Sequence, residues 1–153
     1  MALRKIVKEG DDVLRKHCRE VTKFDERLAT IIDDMAETMY SAEGVGLAAP
    51  QVGILRRIVV MDCGDGLLEL VNPQIVKTSG EQIKPEGCLS VPDRSGYVKR
   101  PAEVTVKAQD RNGNWCMYKG TEMKAVCFCH EIDHLDGILY IDKLEKNYNG
   151  QKD

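Results

Sequence analysis

Apolar residues recur at helical spacing in TKFDERLATIIDDMAETMYSAEG, where Leu28, Ile31, Ile32, Met35 and Met39 share one face. The spacing predicts a helix over about residues 25–42, with Asp25 as N-cap and Gly44 as its C′ stop. The pattern then changes to short strand-like runs broken by Gly, Pro and Asn: 56–62, 67–73, 74–80, 102–110 and 114–120. Asn112-Gly113 between the last two runs is a hairpin signal. A second helix is predicted from about Thr121 to Asp136, ended by Gly137, and ILYIDKL (138–144) reads as a last short strand or turn. Helix, several strands and helix in that order give an α+β class, antiparallel sheets with a helix packed on or between them, and not the alternation of a doubly wound fold.

Composition narrows the class. The chain has 153 residues, a length that fits one domain over 1–153, with 42% hydrophobic and 31% charged residues as in a soluble globular protein. Net charge is −3 and no long basic run occurs, so nucleic-acid binding has no electrostatic footprint. No apolar segment is long enough to span a bilayer, and MALRKIVKEGDD lacks the apolar stretch of a signal peptide. The expectation is a cytoplasmic protein with no membrane contact. In that compartment six cysteines with no C-x-x-C pair suggest metal binding, catalysis or burial before disulfides.

Gly44-x-Gly46-x-x-Ala49 matches a dinucleotide-binding fingerprint. That fingerprint needs a strand before it and a helix after it. Here a predicted helix precedes and Pro50 follows, so the nucleotide reading falls.

The second helix carries CHEIDHLDG, with His130-Glu131-x-x-His134. Residues four apart share a helix face, so two imidazoles can hold one metal ion. Glu131, turned by about 100°, can reach a water beside the ion without ligating it. The competing reading is an amphipathic helix with two solvated histidines. A catalytic site needs a third protein ligand. His17 lies in a charged stretch and reads as a surface residue. Cys127 is seven residues from His134, about 10 Å along the axis, too far for its short side chain; it reads as packing beside the site. Cys129 points away from His130. Cys88, in the loop-like KPEGCLSVP, is a candidate, and Asp136 and Asp142 stay open. Cys18, Cys63 and Cys116 read as ordinary, mostly buried residues.

Three segments, GVGLAAPQ (44–51), EGCLS (86–90) and HEIDH (130–134), occur in one order. Together they resemble the peptide deformylase family, from VLRK through IDKL. The resemblance implies antiparallel sheets around a central helix carrying the HExxH motif. It implies removal of the formyl group from the N-terminal formyl-methionine of nascent chains at the ribosome. Cys88, His130 and His134 would ligate one divalent ion, Fe(2+) in the cell, with Zn(2+), Ni(2+) or Co(2+) as substitutes. Glu131 would be general base and acid; Gln51 and the Leu89 N–H would bind the oxyanion. The backbone around Val45, Gly46 and Gly87 would take the peptide as an added strand. Val45, Glu86, Met123, Val126 and Cys127 are pocket candidates, against core packing for Val126 and Met123 and loop anchoring for Glu86. The expected partner is an N-formyl-methionyl peptide, the expected state a monomer.

Two departures stand out. Cys129 occupies the position before HExxH where the family commonly has Gln, and packing effects are expected. The polar EKNYNGQKD (145–153) is too short to claim the ribosome contact made by longer tails. An HExxH peptidase and a catalytically dead binding module are the rivals; Cys88 and Gln51 argue against the first, Glu131 against the second.

Overall fold

The computed structural model describes residues 2–146. After a 3₁₀ turn at Asp12–Arg15, α1 spans Glu26–Ser41 and leads into β1, Gly46–Ala48, and a 3₁₀ turn at Ala49–Val52. Strands β2 (Ile58–Met61), β3 (Leu68–Ser79), β4 (Gln82–Cys88), β5 (Val91–Arg100), β6 (Glu103–Gln109) and β7 (Trp115–Thr121) follow. Helix α2 spans Glu122–His134, and a 3₁₀ turn at Tyr140–Lys143 comes last. The described strands form an antiparallel sheet ordered β1-β2-β3-β6-β7 and a separate β4-β5 hairpin. The α+β expectation holds.

The apolar pattern explains how the layers stack. Strand β2 reads IVVM and is buried throughout, because a helix covers each face of the sheet there. Ile58 and Val60 pack with Leu28, Ile32, Met35 and Met39 of α1. Val59 and Met61 point the other way, to Ala125, Phe128 and Ile132 of α2. Alternation along one strand thus feeds two cores. A third cluster, Leu14, Val91, Val98, Leu139 and Tyr140, seals the β4-β5 hairpin onto the C-terminal turn.

The caps follow local chemistry. Asp25 accepts the Leu28 N–H at 3.0 Å, the N-cap bond read from sequence. At the other end of α1 the left-handed residue is Glu43 (φ 59°), not Gly44; Gly44 closes the helix by donating to Met39 O at 2.9 Å. Gly137, with φ 77°, ends the turn after α2, and a side chain there would strike the Arg15 backbone.

Two expectations change, and a third settles on one of its two alternatives. The runs 67–73 and 74–80 are one strand, β3, bulged around Asn72 and Pro73. Asn72 is left-handed (φ 51°). Its side chain supplies the bonds that the ladder loses, to both backbone groups of Val21 and to Gln109. KPEGCLSVP is not a loop: it is the tip of the β4-β5 hairpin, with Cys88 paired to Val91. ILYIDKL is a 3₁₀ turn joined to β5 by a single bridge, Val98 to Leu144. Most of EKNYNGQKD lies outside the described residues. Among the described residues no helix is long and apolar enough to cross a membrane.

Candidate active site

Two local structures meet over α2. One is the tip of the β4-β5 hairpin, carrying Cys88, Leu89 and Ser90; the other is β1 with the 3₁₀ turn that carries Gln51. Backbone bonds from the N-terminal segment tie them together: Val7 N–H donates to Gln51 O and Glu9 N–H to Ser90 O, each at 2.7 Å.

Helical spacing brings the His130 and His134 rings to 5.1 Å between centroids. Cys88 Sγ comes within 3.4 Å of His134 Nε2. One donor atom from each of Cys88, His130 and His134 lies within 4.8 Å of the other two. Tetrahedral zinc would put a sulfur and a nitrogen ligand about 3.6 Å apart, so this donor set fits one small cation. His17, by contrast, is on the surface and pairs with Asp136, while Asp142 is taken by Arg15. Neither aspartate joins the cluster.

Charge at the cluster follows from burial. His134 is buried, which holds its pKa well below the usual imidazole value and leaves a neutral ring suited to ligation. Burial also opposes charge on His130. There the Glu131 carboxylate, then Cys88 and Glu86, outweigh it and raise the pKa to about 10. A cation held by these residues would take over the role of that proton.

Behind His130 runs a buried polar chain. Its Nδ1 lies 2.9 Å from Glu86 Oε1. Arg100 holds the same carboxylate with two bonds, from Nε at 2.8 Å and Nη2 at 3.0 Å, and reaches Asp133 through Nη1 at 2.8 Å. Burial opposes the Glu86 charge, but the bonds from Arg100 and His130 prevail and lower its pKa. Bonding at Nδ1 leaves Nε2 for the cation. Glu86 therefore borders the cleft while its carboxylate is bonded to Arg100 and His130. Arg100 and Asp133 escaped the sequence reading, because a hairpin that it did not find brings Arg100 to Glu86.

Gln51 is buried, and its amide direction is fixed. Ala48 N–H donates to Oε1 at 2.9 Å, so Nε2 faces Cys88 Sγ at 3.5 Å and Ser90 Oγ at 3.0 Å. Ser90 was not singled out from sequence; its hydroxyl is visible only once the hairpin tip folds against Gln51.

Glu131 is buried, and its Oε1 has no hydrogen-bond partner among the described residues. Burial raises its pKa to about 7. A buried carboxylate in this state is poised to exchange a proton with whatever enters the site. Its other oxygen lies against β1, where a Cβ on Gly46 would be only 2.6 Å away.

A cleft of about 390 Å³ opens over this group. Val45, Gly46, Glu86, Gly87, Cys88, Leu89, Met123, Val126, Cys127, Gln51, His130 and Glu131 all border it, while His134 lies beneath. Val45 and Met123 are exposed, and Cys127 is buried with its Sγ 3.8 Å from Val45 O. Cys129 packs in the apolar cluster under α2. Cys18 is buried, but Cys63 and Cys116 are only half-buried. The dinucleotide fingerprint has a helix before it and a three-residue strand within it, the wrong order for a phosphate cradle.

Comparison with known proteins agrees with this arrangement. The polypeptide deformylase family model matches residues 3–149. Peptide deformylase of Acetivibrio thermocellus is 60% identical over 144 residues, covering 94% of this chain and 85% of that protein. The crystal structure of peptide deformylase from Thermotoga maritima superposes with a TM-score of 0.92 at 43% identity, covering 94% of this chain and 98% of that one. A peptide deformylase from Synechococcus elongatus, in complex with actinonin, gives a TM-score of 0.91 at 41% identity, covering 94% and 80%. With motif order, fold and cleft all in agreement, the chain belongs to the polypeptide deformylase family.

Proposed function

We propose that the protein hydrolyses the formyl amide of N-formyl-methionyl peptides, releasing formate, through an ion held by Cys88, His130 and His134. The observation that carries this reading is the meeting of three kinds of group at one point. They are a Cys-His-His donor set, a buried carboxylate with an unpartnered oxygen, and an amide N–H₂ aimed at the same cysteine. The family uses a single metal; we assign Fe(2+) in the cell, since a thiolate with two imidazoles suits iron as well as zinc. A divalent ion there supplies Lewis acidity, lowering the pKa of a water and polarising the formyl carbonyl.

The chain's own groups do the rest. Glu131 takes a proton from the attacking water and returns it to the leaving amine. Gln51 Nε2 and the Leu89 N–H donate to the oxyanion as charge develops. The peptide lies along the Gly44–Gly46 edge, opposite Gly87, as an added strand. The methionine side chain sits among Val45, Met123, Val126 and Cys127. Glu86 holds His130 in its ligating tautomer. Residues 1–153 act as one catalytic domain, in the cytoplasm, as a monomer working on nascent chains at the ribosome.

The test is formate release by anaerobic, iron-loaded protein offered formyl-Met-Ala-Ser, with acetyl-Met-Ala-Ser and free Met-Ala-Ser in parallel. Formate from the first, with the other two left intact, is expected. Cleavage within the free tripeptide, or no formate, rejects the assignment. Exposure of the iron form to air should abolish the activity.

A further inference from the structure

Cys127, which borders the cleft, shares an apolar cluster with a second thiol, Cys63, that lies outside the cleft lining. Cys63 follows β2; Cys127 lies on α2, one turn before Glu131. The Val45 carbonyl draws both segments together, accepting the Asp62 N–H at 2.8 Å and facing Cys127 Sγ at 3.8 Å. The next residue after Asp62, Cys63, then packs into the same apolar cluster as Cys127, with the two thiols within hydrogen-bonding reach of each other. Their surroundings differ. Cys63 is half-buried, and the bond from Cys127 lowers its pKa. Cys127 is buried, and its pKa is pushed well up by that bond and by burial. One sulfur is half-exposed and the other is shielded from solvent. That is the division between an attacking and a resolving cysteine.

We propose that Cys63 and Cys127 form a reversible disulfide driven by peroxide. The Cys63 thiolate attacks hydrogen peroxide and breaks its O–O bond, giving a sulfenic acid and hydroxide. The Cys127 sulfur then attacks the Cys63 sulfur, expelling the sulfenic oxygen as water after protonation. In sum, two thiols and one peroxide become one disulfide and two waters. Each thiol loses one electron and one proton, and the peroxide gains both pairs.

The bond reaches the substrate edge. Cys127 Sγ packs under β1, where a Cβ on Gly46 would lie 2.9 Å from it. Contraction to a bond of about 2.05 Å draws this sulfur away from Val45 and ties α2 to the segment after β2. The strand-pairing edge at Val45 and Gly46 is displaced, and peptide binding weakens more than turnover.

The test uses the full chain loaded with zinc, which has no redox chemistry of its own. Protein is treated with hydrogen peroxide, quenched with N-ethylmaleimide and mapped without reduction. A Cys63–Cys127 linked peptide that dithiothreitol removes is expected. Alongside it, KM for formyl-Met-Ala-Ser should rise several-fold and return on reduction. Cys63→Ser should keep the basal kcat and KM and show neither effect. Absence of the linked peptide, a linkage involving Cys88 instead, or the same reversible KM change in Cys63→Ser overturns the proposal. A linked pair with unaltered KM overturns its connection to the cleft. The mapping needs no deformylase activity, so its outcome is independent of the function proposed above.

Discussion

Glu131 combines full burial with an unpartnered carboxylate oxygen, a costly state for a group with only a structural task. If it moves protons and does not ligate the ion, Glu131→Ala should retain the metal and lose about 10²-fold or more in formate release. Metal analysis of the variant beside its single-turnover rate separates the two roles; loss of the ion with the activity would make Glu131 a ligand. Its placement beside the two histidines was legible because His130, Glu131 and His134 are set by helical geometry alone. Cys88 was harder to read. Its partners lie more than forty residues away in sequence, and no local spacing encodes that approach. Glu86 and Arg100 were harder still. Their bidentate contact forms across a hairpin whose sequence, broken by Pro85 and Pro92, carries none of the alternation that marks a strand.

At the scale of elements, the decisive contact is between β1 and α2. Gly46 lets the strand lie directly on Glu131 and Cys127, so the proposed substrate edge and the Glu131 carboxylate share one surface. Gly46→Ala should force these atoms apart. Overpacking of this kind costs about 1–3 kcal/mol, so thermal melting should fall by several degrees and kcat/KM should drop with it. A variant with wild-type melting and activity would show that the contact is loose. The sequence made α1, β2 and α2 readable, since each carries a strong apolar period or run. Strand β3 was split in two because Asn72-Pro73 looks like a turn. In the fold the Asn72 side chain bonds to Val21 and Gln109, and β3 runs on through the bulge paired to β6.

At the scale of the whole molecule, the N-terminal segment fastens α1 to the site. Ala2 N–H and Arg4 both bond to Asp34, and residues 7 and 9 reach Gln51 and Ser90. The Ala2 N–H and then Arg4 lower the pKa of Asp34. A carboxylate with a depressed folded pKa contributes stability above its unfolded value, about 3.9. That contribution is lost as pH falls through the lower folded value. Urea midpoints followed from neutral to acid pH should therefore fall more steeply for the native chain than for Asp34→Asn, and the two curves should converge at the acid end. Parallel curves would remove Asp34 from the account of acid sensitivity. If side chains from a hairpin tip and a helix hold one ion, X-ray absorption at the zinc edge of the zinc-loaded protein reads that ligand set atom by atom. One sulfur at about 2.3 Å and two imidazole nitrogens at about 2.0–2.1 Å are predicted, with the sulfur lost in Cys88→Ala; a shell without sulfur, or one that keeps its sulfur in that variant, would contradict it.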